Sequence, residues 1–113
     1  MIGLDVTHQA VATPERVRAI AAIDNPAAAM VARMMTLDLE RREGGTPLHD
    51  PCVIAYLLAP ELFAGETMAV TIETMDRTRE GQTVANQPGG INVLMKIDHD
   101  GFFALLSERL TRL

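Results

Sequence analysis

The stretch Pro47-Leu48-His49-Asp50-Pro51-Cys52 decides the reading of this chain. An imidazole and a carboxylate stand side by side at a helix start, straight after the flexible pair Gly44-Gly45. Asp50-Pro51 has the grammar of such a start: aspartate accepts from a free helix amide, and proline has no amide to satisfy. A helix start also lies at the edge of a fold, where loops gather and ligands bind. Two readings stay open on the residues alone. In one, Asp50 caps the helix. In the other, its carboxylate serves a hard cation such as calcium, and His49, titrating near neutrality, delivers a proton.

Downstream, Val53, Ile54, Tyr56, Leu57 and Leu58 make this helix apolar nearly all round, which predicts that it is buried. Ala59-Pro60-Glu61 interrupts it, and Leu62-Phe63 adds one more turn. From Thr67 the period becomes two, with Met68, Val70 and Ile72 on one side of a strand. Arg79-Glu80-Gly81 predicts a hairpin turn into a short strand around Gln82-Thr83-Val84, followed by a loop from Asn86 to Gly90. Val93, Met95 and Ile97 alternate in a further strand. A last helix, capped by Asp100, carries the stripe Phe103, Leu106 and Leu110, flanked by Phe102 and Leu105.

Upstream, Asn25-Pro26 and Thr13-Pro14-Glu15 repeat the cap-and-proline start. Val17, Ile20 and Ala21 mark the buried side of the earlier helix. Ala27, Met30, Val31 and Met34 mark that of the later one, which runs out in Leu39-Glu40-Arg41-Arg42-Glu43 with its cations at the favourable end. Ile2, Leu4 and Val6 alternate with Gly3 and Asp5, predicting a short first strand with no cap, turn or tail before it. Natural domains seldom begin inside an element, so the reading is of a fragment. The fold class is α/β in a single unit over 1–113: a short first strand, three helices, a small β hairpin or sheet, and a terminal helix. The sequence has no internal repeat, low-complexity segment or linker.

Composition narrows the function. The chain has 113 residues, 48% of them hydrophobic, and a net charge of −5. That suits one packed domain rather than disorder. The acidic balance and single tyrosine argue against a nucleic-acid partner. No apolar run approaches the roughly 20 residues of a membrane span, and no basic segment leads into an apolar one as in a secretory signal. One cysteine, Cys52, makes no internal disulfide, which points to a cytoplasmic setting. The expected partners therefore include neither membrane nor nucleic acid.

Other constellations read as structure. His8, His49 and His99 share no helical spacing with one another or with Cys52, so zinc has no local support. Asp98-His99-Asp100 reads as a strand-to-helix turn with Asp100 as cap. Met30, Met34 and Met35 read as core, and Cys52, inside an apolar helix, as packing rather than nucleophile.

Together with Gly3-Leu4-Asp5-Val6-Thr7-His8-Gln9 and Pro60-Glu61-Leu62-Phe63, the His-Asp-Pro-Cys stretch resembles the C-terminal part of the inosine-uridine preferring nucleoside hydrolases. Within that family the pyrimidine-preferring ribonucleoside hydrolases are the nearest subgroup. The resemblance covers essentially the whole chain. It implies an enzyme that hydrolyses the N-glycosidic bond of a ribonucleoside such as inosine, uridine or cytidine, releasing ribose and free base. It further implies one calcium ion, a calcium-bound water as nucleophile, and an oxocarbenium-like ribosyl cation. Carried over by residue, Asp50 matches a calcium-ligating aspartate and His49 the histidine beside the leaving base. Asp5, Thr7 and His8 match a signature near the pocket and are read as structural.

The family's acidic motif, Asp-Thr-Asp-x-Gly-x-Asp-Asp, is nowhere in this chain, and calcium takes about 6–8 oxygen ligands. The 113 residues alone are therefore expected to be inactive and not to retain calcium. The alternative reading is a non-catalytic module that binds or self-associates. The apolar first strand, left as an open edge, predicts a homo-oligomer.

Overall fold

In the computed structural model, which describes residues 1–41 and 44–113, the chain does not open as a strand. Gly3 is extended, and its carbonyl accepts from the amides of Val6 and Thr7 at 3.2 Å each, so the next residues close into one helical turn, α1 (Leu4–Thr7). Ile2 alone keeps the extended role, bridging Leu94 in parallel. The sequence expectation fails here because three apolar residues over five positions fit a helix as well as a strand. Val6 is buried and Leu4 is exposed.

After β1 (Val11–Ala12), the two proline starts form as their residues dictate. Thr13 Oγ1 accepts from Arg16 N at 3.3 Å ahead of α2 (Pro14–Ala21), and Asn25 Oδ1 accepts from Ala28 N at 2.8 Å ahead of α3 (Pro26–Leu39). Asn25 Nδ2 also donates to Leu110 O at 2.7 Å, tying the start of α3 to the far end of the chain. In α2, Val17 and Ile20 are buried while Ala21 is exposed. The buried face of α3 is Ala28 and Ala32, with Val31, Met35 and Leu39 packed against them. The expected methionine core is therefore corrected: Met30 and Met34 are 59% and 62% exposed. Alanines let α3 approach its neighbours closely, which turns the longer side chains outward. The expected cationic helix end falls partly on residues 42 and 43, outside the described residues.

Gly45, at φ +108°, sends the chain into β2 (Thr46–Pro47), antiparallel to β1. A Cβ there would meet Val11 Cγ1 at 2.5 Å and Ala12 O at 2.9 Å, so only glycine allows this close return. α4 (Asp50–Leu58) follows, and then a 3-10 turn over Pro60–Leu62. Phe63 does not extend that turn but opens β3 (Phe63–Ile72), which pairs antiparallel with β4 (Thr83–Ile97). The turn at Arg79-Glu80-Gly81 lies between them, with Gly81 at φ +84°.

Two irregularities explain where the strand expectations differ. The stretch read as a loop from Asn86 to Gly90 lies within β4, where Met68 faces Ile91 and Ala69 faces Asn86, leaving residues 87–90 as a bulge. At Gly89 a Cβ would sit 1.7 Å from Ala69 N, so the bulge folds directly onto β3. A second shift, between Ala64 and Gly65, passes over Met95. It breaks the expected Val93, Met95, Ile97 alternation: Val93, Leu94 and Ile97 are buried and Met95 is exposed.

The final helix, α5 (His99–Thr111), buries Phe103 and Leu110 of the expected stripe, but Leu106 is only half-buried and the flanking Phe102 is the most deeply buried of the helix, with Leu105 half-buried. Its cap is Asp98, whose side chain accepts from Gly101 N at 3.1 Å, and not Asp100. The core lies between α1–α4, the base of the hairpin and α5, and five of its fourteen buried members are alanine. α4 departs most from expectation. Cys52 and Ala55 face this core, but Val53, Ile54, Leu57 and Leu58 are exposed, Leu57 by 72%.

Candidate functional site

The segment leading into α4 is held by the backbone. Leu48 N donates to Ala10 O at 2.9 Å, beside the β1–β2 pairing, which lays His49 against α1. α1 is fixed in turn by Gln9. Its Nε2 donates to Asp5 O at 2.7 Å and Met95 O at 2.9 Å, and its Oε1 accepts from Ile97 N at 3.4 Å. Thr7 and His49, 42 positions apart, thereby meet at 2.7 Å between Oγ1 and Nδ1. The His8 and His49 rings lie 5.5 Å apart, centre to centre.

His49 and Asp50 are both exposed on a cleft of about 400 Å³ whose wall includes Gly3, Leu4, Thr7, Val53 and Thr83. The capping reading of Asp50 is corrected. His49 holds the cap position without a side-chain cap bond, and Asp50 is the first residue of the helix. Its carboxylate makes no hydrogen bond or ion pair to another described residue, so it is available to a ligand, at a helix end that favours negative charge. Among the described residues, no three His, Cys, Asp or Glu side chains come together as a metal site.

Of the other candidates, Cys52 falls where the sequence reading put it and Asp100 does not. Cys52 is buried, its Sγ lies 3.0 Å from Leu48 O, and burial pushes its thiol up to about 11, which makes it a poor nucleophile. Asp100 belongs to an ion pair that the sequence did not show. Arg16 Nη2 lies 2.6 Å from Asp100 Oδ1 and 2.8 Å from His99 Nδ1, and its guanidinium stands 4.3 Å over the Phe103 ring. Arg16 first, then His99, holds the Asp100 carboxyl below its ordinary value. The family signature places Thr7 and His8 near the pocket, whereas no signal in the sequence marks Thr83, which lines the same cleft through the folding of the hairpin.

This arrangement, an open α/β layer with a histidine–aspartate pair at a helix start, has the fold of nucleoside hydrolases. It superposes on a purine-preferring ribonucleoside hydrolase from Gardnerella vaginalis with a TM-score of 0.84 at 24% identity, covering 99% of this chain and 39% of that one. A plant nucleoside hydrolase, PpNRh1, gives 0.79 at 25% identity, over 98% of this chain and 40% of that one. The model of the inosine-uridine preferring nucleoside hydrolases matches residues 1–104, and the chain belongs to that family. It is 42% identical to the pyrimidine-specific ribonucleoside hydrolase RihA of Shewanella woodyi and 40% identical to that of Escherichia fergusonii, each over 97% of this chain. The chain spans about two fifths of the length of these relatives, 39% in both cases, and is similar to their C-terminal part.

Proposed function

We propose that this chain supplies the His49–Asp50 edge of a centre that hydrolyses the N-glycosidic bond of ribonucleosides, the pyrimidine and inosine classes included. The observation that carries the reading is the uncapped Asp50 carboxylate beside His49 on the cleft. A ribosyl centre that loses its base gains positive charge, which a carboxylate offsets, and the departing base needs a hydrogen-bond donor or acid, which an imidazole provides.

The family resemblance calls for calcium. Asp50 is one anionic oxygen donor of the kind that ion takes, but about 6–8 ligands are needed, and among the described residues no group of three or more His, Cys, Asp or Glu side chains comes together to supply them. In this reading Asp50 is one ligand, and the others belong to the part of the family fold that this chain does not span.

The test is a chimera in which this chain replaces the matching 39% of the Shewanella woodyi relative. It is expected to hydrolyse uridine, and Asp50→Ala is expected to abolish turnover while leaving the circular dichroism spectrum intact. A folded Asp50→Ala chimera with unchanged uridine hydrolysis would remove Asp50 from the centre.

The exposed side of α4 favours a second reading for the isolated chain, as a self-associating module without catalysis. Val53, Ile54, Leu57 and Leu58 leave an apolar helix face without cover. Among the described residues, no helix is long and apolar enough to cross a membrane.

A further inference from the structure

The contact between Thr7 and His49 says more than that a buried hydroxyl has found a partner. At 2.7 Å it is shorter than the usual N–H···O bond and typical of an O–H donor. The other acceptor within reach of the hydroxyl, Leu4 O, lies at 3.5 Å and already accepts from His8 N at 2.9 Å. If the hydroxyl donates to Nδ1, the shorter of its two contacts, rather than to Leu4 O, then Nδ1 is the bare nitrogen and the ring proton sits on Nε2. Thr7 is 4% exposed on α1, which Gln9 clamps to β4, so the donor is fixed while the ring it holds is exposed. Among the described residues, Nε2 has no hydrogen-bond partner.

We propose that Thr7 is a positioning residue for His49: its hydroxyl donates to Nδ1, fixes the plane of the ring against α1, and presents Nε2–H as a donor toward the cleft. A donor held in one orientation before the nucleoside arrives has no rotamer freedom left to lose when it meets the leaving base. The proposal rests on the hydrolase reading for its purpose, but the bond and the ring orientation do not depend on it.

The test uses the 113-residue chain with 15N-labelled histidine, without metal or nucleoside. The wild-type spectrum is expected to show a slowly exchanging Thr7 hydroxyl proton correlated with a bare His49 Nδ1, and contacts between the His49 and His8 rings. Thr7→Val keeps the shape of the side chain but is expected to lose the hydroxyl signal, move the Nδ1 resonance and weaken the ring–ring contacts. Thr7→Ser is expected to restore all three. Unchanged Nδ1 and ring signals in Thr7→Val would overturn the proposal, as would failure of Thr7→Ser to restore them. If Thr7→Val does not fold, the wild-type spectrum decides: a protonated Nδ1 overturns the proposal and the hydroxyl correlation supports it. Loss of the hydrolase reading, through an active Asp50→Ala chimera, would leave these spectra as they are.

Discussion

At the scale of residues, His49 and Asp50 divide the work of one short turn. Asp50 caps nothing, and His49 is tied to the fold through Nδ1 and Thr7 while its Nε2 faces no described partner. In the folded chimera, His49→Ala is expected to lower kcat/KM for inosine by on the order of 100-fold, the lower end of what a positioned acid contributes, and for uridine by less. Equal losses on the two nucleosides would count against a leaving-group donor. Asp100 offers a separate check away from the cleft. Its carboxyl is held below the ordinary value of 3.8 by Arg16 and His99, so its contribution to stability is present above that value and is lost as the pH falls through the lower, folded one. Thermal melts of Asp100→Asn and wild type are expected to differ at pH 6 and to converge as the pH falls through the lowered, folded value. A constant difference across that range would mean that the ion pair with Arg16 does not stabilise the fold.

At the scale of elements, the starts of helices were the most legible part of the sequence. Thr13 and Asn25 cap because their side chains alone can satisfy the amides that a proline start leaves open. Asn25 has a second task, its bond to Leu110 O. Asn25→Ala is expected to cost about 2 kcal/mol in urea unfolding, about 1 for the cap and about 1 for the tie to α5. Asn25→Asp, which keeps the acceptor and loses the donor, is expected to cost about half as much. A loss below about 0.5 kcal/mol for the alanine variant would contradict this account of the α3 start. What was not legible follows from longer-range causes. Ile2, Leu4 and Val6 could not announce a helical turn, because the choice is made by Gly3 and by the clamp of Gln9 on β4. Periodicity assigned the faces of β4 wrongly because the bulge at Met95 shifts the alternation and leaves no mark in hydropathy. At the site, the type and spacing of His49 and Asp50 were readable, whereas Thr7 and His8 reach His49 only through the fold. Asp50 and Asp100 also show the limit of cap grammar: an aspartate at a helix start need not be the cap, which falls to His49 in one case and to Asp98 in the other.

At the scale of the whole molecule, the chain is open for its mass. Its surface is 7595 Å² and its radius of gyration 16.5 Å, where about 6,100 Å² and about 13 Å are usual for a compact domain of this size. β3 and β4 are exposed along most of their length and one side of α4 is uncovered, over a core in which alanines contribute little apolar area. The isolated chain is therefore expected to associate as its concentration rises in light scattering, and Ile54→Lys with Leu57→Lys to reduce that association. A clean monomer at high concentration would show that the α4 face tolerates water. The relatives are about two and a half times as long, and the family fold that they share extends past the elements described here.

The central claim, that Asp50 is one ligand of a site completed elsewhere in the fold, is tested most directly by calorimetric titration with calcium. The isolated chain is expected to show no sub-micromolar binding. The chimera is expected to bind one calcium ion, and the Asp50→Ala chimera to lose that binding. Sub-micromolar binding by the 113 residues alone, or undiminished binding by a folded Asp50→Ala chimera, would contradict the account.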